Sequence, residues 1–351
     1  MESLALLDTP NFSFDPATRP YKAGVRPFRK GSYRLEADPN TVAGKLLVHN
    51  YGHAGAGITM SWGCAEIVRD IVLQHGAAGG VAVLGAGVMG LTAATLLCEV
   101  RPSVEVMVYA EKFTPDTTSD VAGGQWSPSL VRYNSNDSAA KLAYFDILRR
   151  ARKAHERRGP SYGVSQRWNY TPIRLGHLDE LPTDIVPKAT VLHQLPFARL
   201  TKPGFKYDLL LVETPILMAR LYRDLETGGV RFVRKKLESL SDIARLSQSV
   251  IVNCTGLGSR ELFNDTNMFS IKGQLVRLRP QSNLNYLFSG DGYVFPRTDA
   301  VLVGGSTECN VDNDTPVDAD CKNIVKAAED LFEGRRFRRF FTRPSWLSQD
   351  K

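Results

Sequence analysis

The run Val81-Ala82-Val83-Leu84-Gly85-Ala86-Gly87-Val88-Met89-Gly90-Leu91 decides the fold. Its first four apolar residues predict a short buried strand, and Leu91 to Glu99 predicts a helix directly after the glycines. Gly85 suits the tight turn between them. Gly87 lets a pyrophosphate approach the backbone, and Gly90 lets the helix pack on the strand. The free N–H groups at the helix start attract a phosphate. Val104 to Tyr109 predicts a second strand, which ends in Ala110-Glu111. Glu111 lies 21 residues after Gly90. Its carboxylate suits a ribose diol and would repel the 2′-phosphate of NADP. Strand, glycines, helix, strand and acid together form the βαβ dinucleotide fingerprint.

Beyond the fingerprint, Lys112 to Ser127 (KFTPDTTSDVAGGQWS) is rich in hydroxyls and small residues. The chain there passes close to something large and polar. Helices are expected at 138–156, 214–227 and 321–334, and strands at 230–237, 248–253, 273–278, 293–296 and 300–305. Ile251-Val252-Asn253-Cys254-Thr255-Gly256 is an apolar strand ending in a small-residue turn, which a doubly wound sheet places beside its cofactor. Before the fingerprint, 45–51 (KLLVHNY) predicts a strand and Gly52 to Gly57 a glycine-rich turn. A helix is expected from Thr59 to about Gln74, then a flexible linker to Gly80. Residues 1–22, with Pro10, Pro16 and Pro20, read as a loose arm.

The 351 residues suit about two domains. With 43% hydrophobic and 23% charged residues, disordered, collagenous and fibrous classes are excluded. No uncharged apolar run reaches the ~18 residues of a membrane helix, and the first residues lack the basic start of a signal peptide. Five scattered cysteines without a CxxC pair suggest neither a disulfide framework nor a metal site, and fit a reducing compartment. The net charge of +7 raises nucleic-acid binding. However, Arg149, Arg150, Arg152, Lys153, Arg157 and Arg158 read as the solvated end of an amphipathic helix. Arg335, Arg336, Arg338 and Arg339 read as a helix face or C-terminal cap. No nucleic-acid partner is therefore expected.

With VAVLGAGVMGL at 81–91, VYAEKFTPDTTSDVAGGQW at 108–126, IVNCTG at 251–256, GYVFP at 292–296, AGVRPFRKGSYRLE at 23–36 and HNYGHAGAGITMSWGCA at 49–65, the sequence resembles the FAD-dependent D-amino acid oxidases, a family that includes the D-aspartate oxidases. The resemblance covers nearly the whole chain. It implies an α/β fold in which a Rossmann-type FAD-binding domain joins an α+β substrate domain with a mixed sheet. In that family the RP and HNYGH motifs close the chain, whereas here they precede the fingerprint, so the order reads as a circular permutation. The implied division gives 1–44 and 136–229 mainly to the substrate domain, with 263–351. The FAD-binding domain takes 45–135 and 230–262.

The resemblance also implies roles. Arg26 would bind a substrate carboxylate bidentately, and Tyr293 would bond the same carboxylate. The turn Ala54, Gly55, Ala56, Gly57, Ile58 and Thr59 would lie against the flavin. Gly85, Gly87, Val88, Met89 and Gly90 would hold the diphosphate, with Glu111 and Lys112 at the ribose. Thr117, Thr118, Ser119, Gly123 and Gly124 would line the dinucleotide. Leu237 would contact the adenine and Gly256 would let the sheet approach the cofactor. Gln125, Ser127, Ser289 and Arg297 would shape the substrate pocket, under a lid-like stretch from Ser282 to Gly292. Ser289 stands where the family usually has a second tyrosine, and Ser127 and Ser129 replace larger residues.

The expected activity is oxidative deamination of a neutral or bulky D-amino acid by hydride transfer to FAD, with hydrogen peroxide release. None of the six histidines is needed as a base, and His53 reads as structural. The partners expected are a small-molecule amine or amino acid and O2, without membrane association; a homodimer is compatible. Location is expected in the cytoplasm, or in the peroxisome by family analogy, although no SKL-type ending is present. Two other readings stay open: an amine oxidase tailoring a larger metabolite, and a silent flavin-binding protein.

Overall fold

The computed structural model describes residues 5–76, 79–290 and 292–335. Two sheets organise them. The first has six strands, in the order Arg34–Asp38, Leu46–Tyr51, Val250–Asn253, Val81–Leu84, Val106–Ala110, Arg231–Arg234. All neighbours run parallel except the edge strand Arg34–Asp38. Parallel strands covered on both faces must be apolar throughout, and Val81–Leu84 and Val250–Asn253 are buried at every residue.

Helices Gly57–His75 and Val88–Val100 pack against each other on one face, with Ser138–Arg158 laid on the former. A side chain at position 63 would place its Cβ 2.1 Å from the Ile147 carbonyl oxygen. Glycine therefore sets the close approach of the two long helices. Asp137 caps Ser138–Arg158 by accepting from the amides of Ala139 and Ala140. Leu47, Ala82, Leu84, Ile243 and Ile251 form a smaller core on the opposite face of the sheet.

The second sheet is mixed and has nine strands. Its order is Tyr21–Arg29, Met268–Leu278, Val301–Gly304, Tyr293–Pro296, Leu287–Ser289, Val164–Thr171, Gly204–Val212, Thr190–Leu192, with Glu308–Cys309 also paired to Met268–Leu278. Helix Asp318–Phe332 and a cluster of Phe12, Phe197, Tyr286, Phe288 and Phe332 cover one face.

Several expectations need correction. The stretch 1–22 is not loose over its described part. Phe12 is buried in that aromatic cluster, Leu7 donates to the Pro196 carbonyl, and Asn11 exchanges bonds with Gln281. Arg34–Asp38, expected with the substrate unit, pairs with Leu46–Tyr51 in the parallel sheet. Tyr286 and Phe288, read as part of a lid, are buried core residues, and the Tyr286 hydroxyl donates to Asp8. The strand Val164–Thr171 carries no apolar run to betray it, and Gly204–Val212 was missed although it ends in Leu-Leu-Leu-Val.

The basic helix end is largely ion-paired. Arg149 meets Asp184, Arg150 meets Asp146 and Glu66, Arg152 meets Glu156, and Arg158 meets Glu99 while lying over the Trp62 ring. In the second basic run, Arg335 pairs with Asp330, while Arg336, Arg338 and Arg339 lie outside the described residues. No helix among the described residues is long and apolar enough to cross a membrane. No metal-ligating cluster is found among them either.

Candidate functional site

A cleft of about 820 Å³ follows the carboxyl ends of the parallel strands and continues to the second sheet. Gly52, Gly85, Glu111 and Cys254 line it, each just past a strand of the first sheet. This is where open α/β sheets bind ligands.

At the fingerprint, Gly85 has φ +104° and a Cβ there would lie 2.5 Å from the Cys254 carbonyl oxygen. Only glycine satisfies both demands. A Cβ at Gly90 would fall 2.0 Å from the Gly85 oxygen, so Gly90 serves helix packing and does not line the cleft. Gly87, Val88 and Met89 do line it.

Thr117, Thr118 and Ser119 also line it, but two of their hydroxyls are committed to structure. Thr117 Oγ1 donates to Asp120 (2.6 Å) in a capping box, and Ser119 Oγ accepts from the Val88 amide (3.0 Å). Lys112 pairs with Asp314 at 3.2 Å. Glu111 lines the cleft, and its carboxylate takes no hydrogen bond among the described residues. Leu237, Gly123, Gly124 and Gly256 are lining residues as well.

The glycine turn enters from the first sheet. Ala54, Gly55, Gly57 and Ile58 line the cleft, while Ala56 is buried behind them. Thr59 is also buried, and its hydroxyl both donates to the Ser127 carbonyl (2.9 Å) and accepts from its amide (3.0 Å). His53 stacks on Tyr33, and burial holds its pKa down at about 3. It is a neutral structural ring. These features fit FAD. The fingerprint offers a glycine-only cradle and a helix N-terminus for the diphosphate, Glu111 an uncommitted acceptor for the ribose, and the 54–58 turn a second lining for the flavin.

Arg26 and Tyr293 both line the cleft from the second sheet, near enough for each to shift the other's pKa, and each lies over glycine. A Cβ at Gly273 would stand 2.1 Å from Arg26 Nη2. One at Gly304 would stand 2.3 Å from Tyr293 Cζ, and one at Gly305 would stand 2.9 Å from its Cε1. Tyr293 stacks on Phe295 with centroids 4.3 Å apart. Burial lowers the Arg26 pKa, while Tyr293 and Glu308 raise it; a guanidinium remains a cation under such shifts. Burial raises the Tyr293 pKa against the pull of Arg26 and Arg297, so its hydroxyl stays a donor. Arg26 Nη1 donates to the Ser306 carbonyl at 3.3 Å, which helps aim the fork.

The other pocket expectations divide. Gln125 and Ser127 line the cleft. Arg297 does not, and this corrects the sequence reading. It is buried, pairs with Asp299 through Nε and Nη2 (both 2.8 Å), and spends Nη1 on Ala122 and Thr214. Ser289 lies behind the lining, bonded to Gln125 Nε2 at 3.0 Å. Sequence reasoning missed Asn169, which accepts from the same Nε2 at 2.8 Å, and exposed His177, whose Nε2 is 2.8 Å from Ser127 Oγ. Neither sits in a motif. The glycines Gly273, Gly304 and Gly305 were visible in the sequence, but only the fold shows which side chains rest on them.

The profile of the FAD dependent oxidoreductase family matches residues 80–348. The D-amino acid oxidase of Dugesia ryukyuensis is 26% identical over 72% of this chain and 78% of its own length. The D-aspartate oxidase of Homo sapiens is 28% identical, with 65% and 68% covered. The D-amino-acid oxidase of Streptomyces coelicolor is 30% identical, with 66% and 70% covered. Among solved structures, glycine oxidase from Bacillus cereus superposes with a TM-score of 0.53 at 14% identity, covering 72% of this chain and 77% of that one.

Proposed function

The chain belongs to the family of FAD-dependent oxidoreductases, and from that premise we propose that it oxidises the amine of a D-amino acid with a neutral side chain. The observation that carries this reading is that Arg26 and Tyr293, each within the other's electrostatic reach, line the cleft that also holds the dinucleotide fingerprint. A guanidinium fork with an adjacent phenol is built to grip one carboxylate. The named substrates of the relatives from Dugesia, Homo and Streptomyces, all D-amino acids, support the same class.

In this mechanism Arg26 binds the carboxylate bidentately and the Tyr293 hydroxyl donates to the same group. The two fix the α-carbon against the flavin-facing turn at 54–58, and orientation of this kind supplies much of the rate. When bound, FAD would supply a two-electron acceptor for the α-hydrogen as hydride, with O2 as the final acceptor and hydrogen peroxide as its product. Water then hydrolyses the imino acid to a keto acid. The substrate reacts as the neutral amine, so the chain need hold no strong base there, and His53, buried and neutral, is not one. With Arg297 committed to Asp299 and Thr214, no cation of that segment is left for an acidic side chain.

The motif order is read as a circular permutation. Supporting it, the family match begins at residue 80, while Leu46–Tyr51 still pairs with Val250–Asn253 in the sheet that carries the fingerprint. Helix Gly57–His75 then leads back to Val81 within six residues. The functional test is a spectrum and a peroxide screen. Purified protein should carry FAD and release peroxide with D-amino acids, and Arg26→Ala should keep the flavin while losing turnover well over tenfold. Flavin-loaded protein that is silent on every D-amino acid would sink the reading.

A further inference from the structure

Gln125 is built into the substrate end of the cleft with one orientation. Its backbone is fixed on both sides: Trp126 donates to Leu210, and Val212 donates to the Gly124 carbonyl. Gln125 itself bridges to Leu211. The preceding residue, Gly124, has φ +93°, and a Cβ there would meet the Val212 oxygen at 2.1 Å. One residue earlier, a Cβ on Gly123 would come within 3.5 Å of the Tyr293 ring. The segment therefore passes directly beneath Tyr293.

The side-chain amide is fixed as well. Nε2 donates to Asn169 Oδ1 (2.8 Å) and to Ser289 Oγ (3.0 Å), and Ser289 Oγ donates to the same Asn169 oxygen (2.9 Å). Asn169 is fully buried, and Ser289 is the cross-strand partner of Tyr293. Both N–H groups of the amide are thereby spent. Oε1 takes no hydrogen bond among the described residues and is not sealed from solvent, while Gln125 lines the cleft. With this amide orientation, which leaves the buried Asn169 Nδ2 without a partner among the described residues, the wall beside Tyr293 presents an uncharged acceptor.

We infer that the enzyme selects D-amino acids whose uncharged side chain carries a hydrogen-bond donor, which Gln125 Oε1 accepts. This rests on the amino acid oxidase reading above and narrows it. A carboxylate side chain would meet a lone pair. An alkyl side chain would cover the acceptor without a partner, and sites built to hydrogen-bond a substrate group discriminate strongly against analogues lacking it.

D-asparagine and D-leucine share a branched outline and differ in the donor, so their ratio of kcat/KM isolates the contact. Wild type should favour D-asparagine at least tenfold, and Gln125→Leu should lower that ratio tenfold or more with FAD content retained. Ser289→Ala, which frees one N–H of the amide, should lower it by a smaller factor, and it decides the matter if Gln125→Leu does not fold. An unmoved ratio in an active variant overturns the inference and leaves the oxidase reading standing. Flavin-loaded wild type inactive on all D-amino acids overturns both.

Discussion

Gly273→Ala tests the substrate end without touching a polar group. Gly24 faces Gly273 across the strand pair, and Arg26, two residues on, lays its side chain over the glycine. An alanine Cβ would stand 2.1 Å from Nη2 and 2.4 Å from both Cζ and Nη1. Ordinary contact begins near 3.4 Å, so the guanidinium must retreat by roughly 1 Å. A displacement of that size at a positioning group costs on the order of 100-fold in rate, or about 2.7 kcal/mol. The Gly273 backbone is ordinary extended strand, so alanine brings no strain there and the clash falls on a flexible side chain. kcat/KM for the best D-amino acid should fall about 100-fold, with FAD content and Tm near wild type. In an Arg26→Ala background the same change should cost little, because the group it displaces is gone. Additive losses in the double variant, or an unchanged kcat/KM in Gly273→Ala, would refute the placement of Arg26.

D-aspartate should be a poor substrate beside D-alanine. Arg297→Ala should lower Tm, because a buried guanidinium loses its bonds to Ala122, Thr214 and half-buried Asp299, a loss of roughly 2 kcal/mol, without changing that preference. A D-aspartate preference abolished by Arg297→Ala would contradict the committed geometry of Arg297. Glu111→Ala should weaken FAD retention about tenfold or more, the value of a hydrogen bond to a charged acceptor, measured by flavin release on dilution. Acid should destabilise the protein below pH 6.5. His49, His53 and His155 are buried, with pKa values held near 4, 3 and 4 by desolvation, so the unfolded chain takes up protons first. Each histidine then removes about 1.4 kcal/mol per pH unit until its folded pKa is reached. A Tm that is flat from pH 7 to 5, or a slope unchanged by His155→Gln, would count against this.

The central strands of the parallel sheet were legible because they are short apolar runs closed by small residues or an acid. Val81–Leu84, Val106–Ala110 and Val250–Asn253 all fall within two residues of expectation. The second sheet was only half legible. Gly204–Val212 opens with the mixed Gly-Phe-Lys-Tyr-Asp, whose burial depends on what packs above it, and only its last four residues form a buried apolar run. The Arg297 error has the same origin. Strand alternation would put it on the same face as Tyr293, four residues earlier, yet the strand ends at Pro296 and bonds to Ala122, Thr214 and Asp299 hold Arg297 behind the wall. Gln125 was read as a pocket residue, but its orientation required Asn169 and Ser289, which are 44 and 164 positions away.

The pairing of Tyr21–Arg29 with Met268–Leu278 also bears on how the molecule is made. Arg26 faces Ile271, about 245 residues later in the chain. At a synthesis rate of about 5–20 residues per second, that partner follows the arginine by roughly 12–50 s. Through that interval the strand Tyr21–Arg29 lacks Met268–Leu278, the strand it pairs with among the described residues, and Leu46–Tyr51 waits nearly as long for Val250–Asn253. Unpaired strand edges of this kind recruit other chains. The end of the cleft that carries Arg26 is therefore completed last, when Met268–Leu278 emerges from the ribosome.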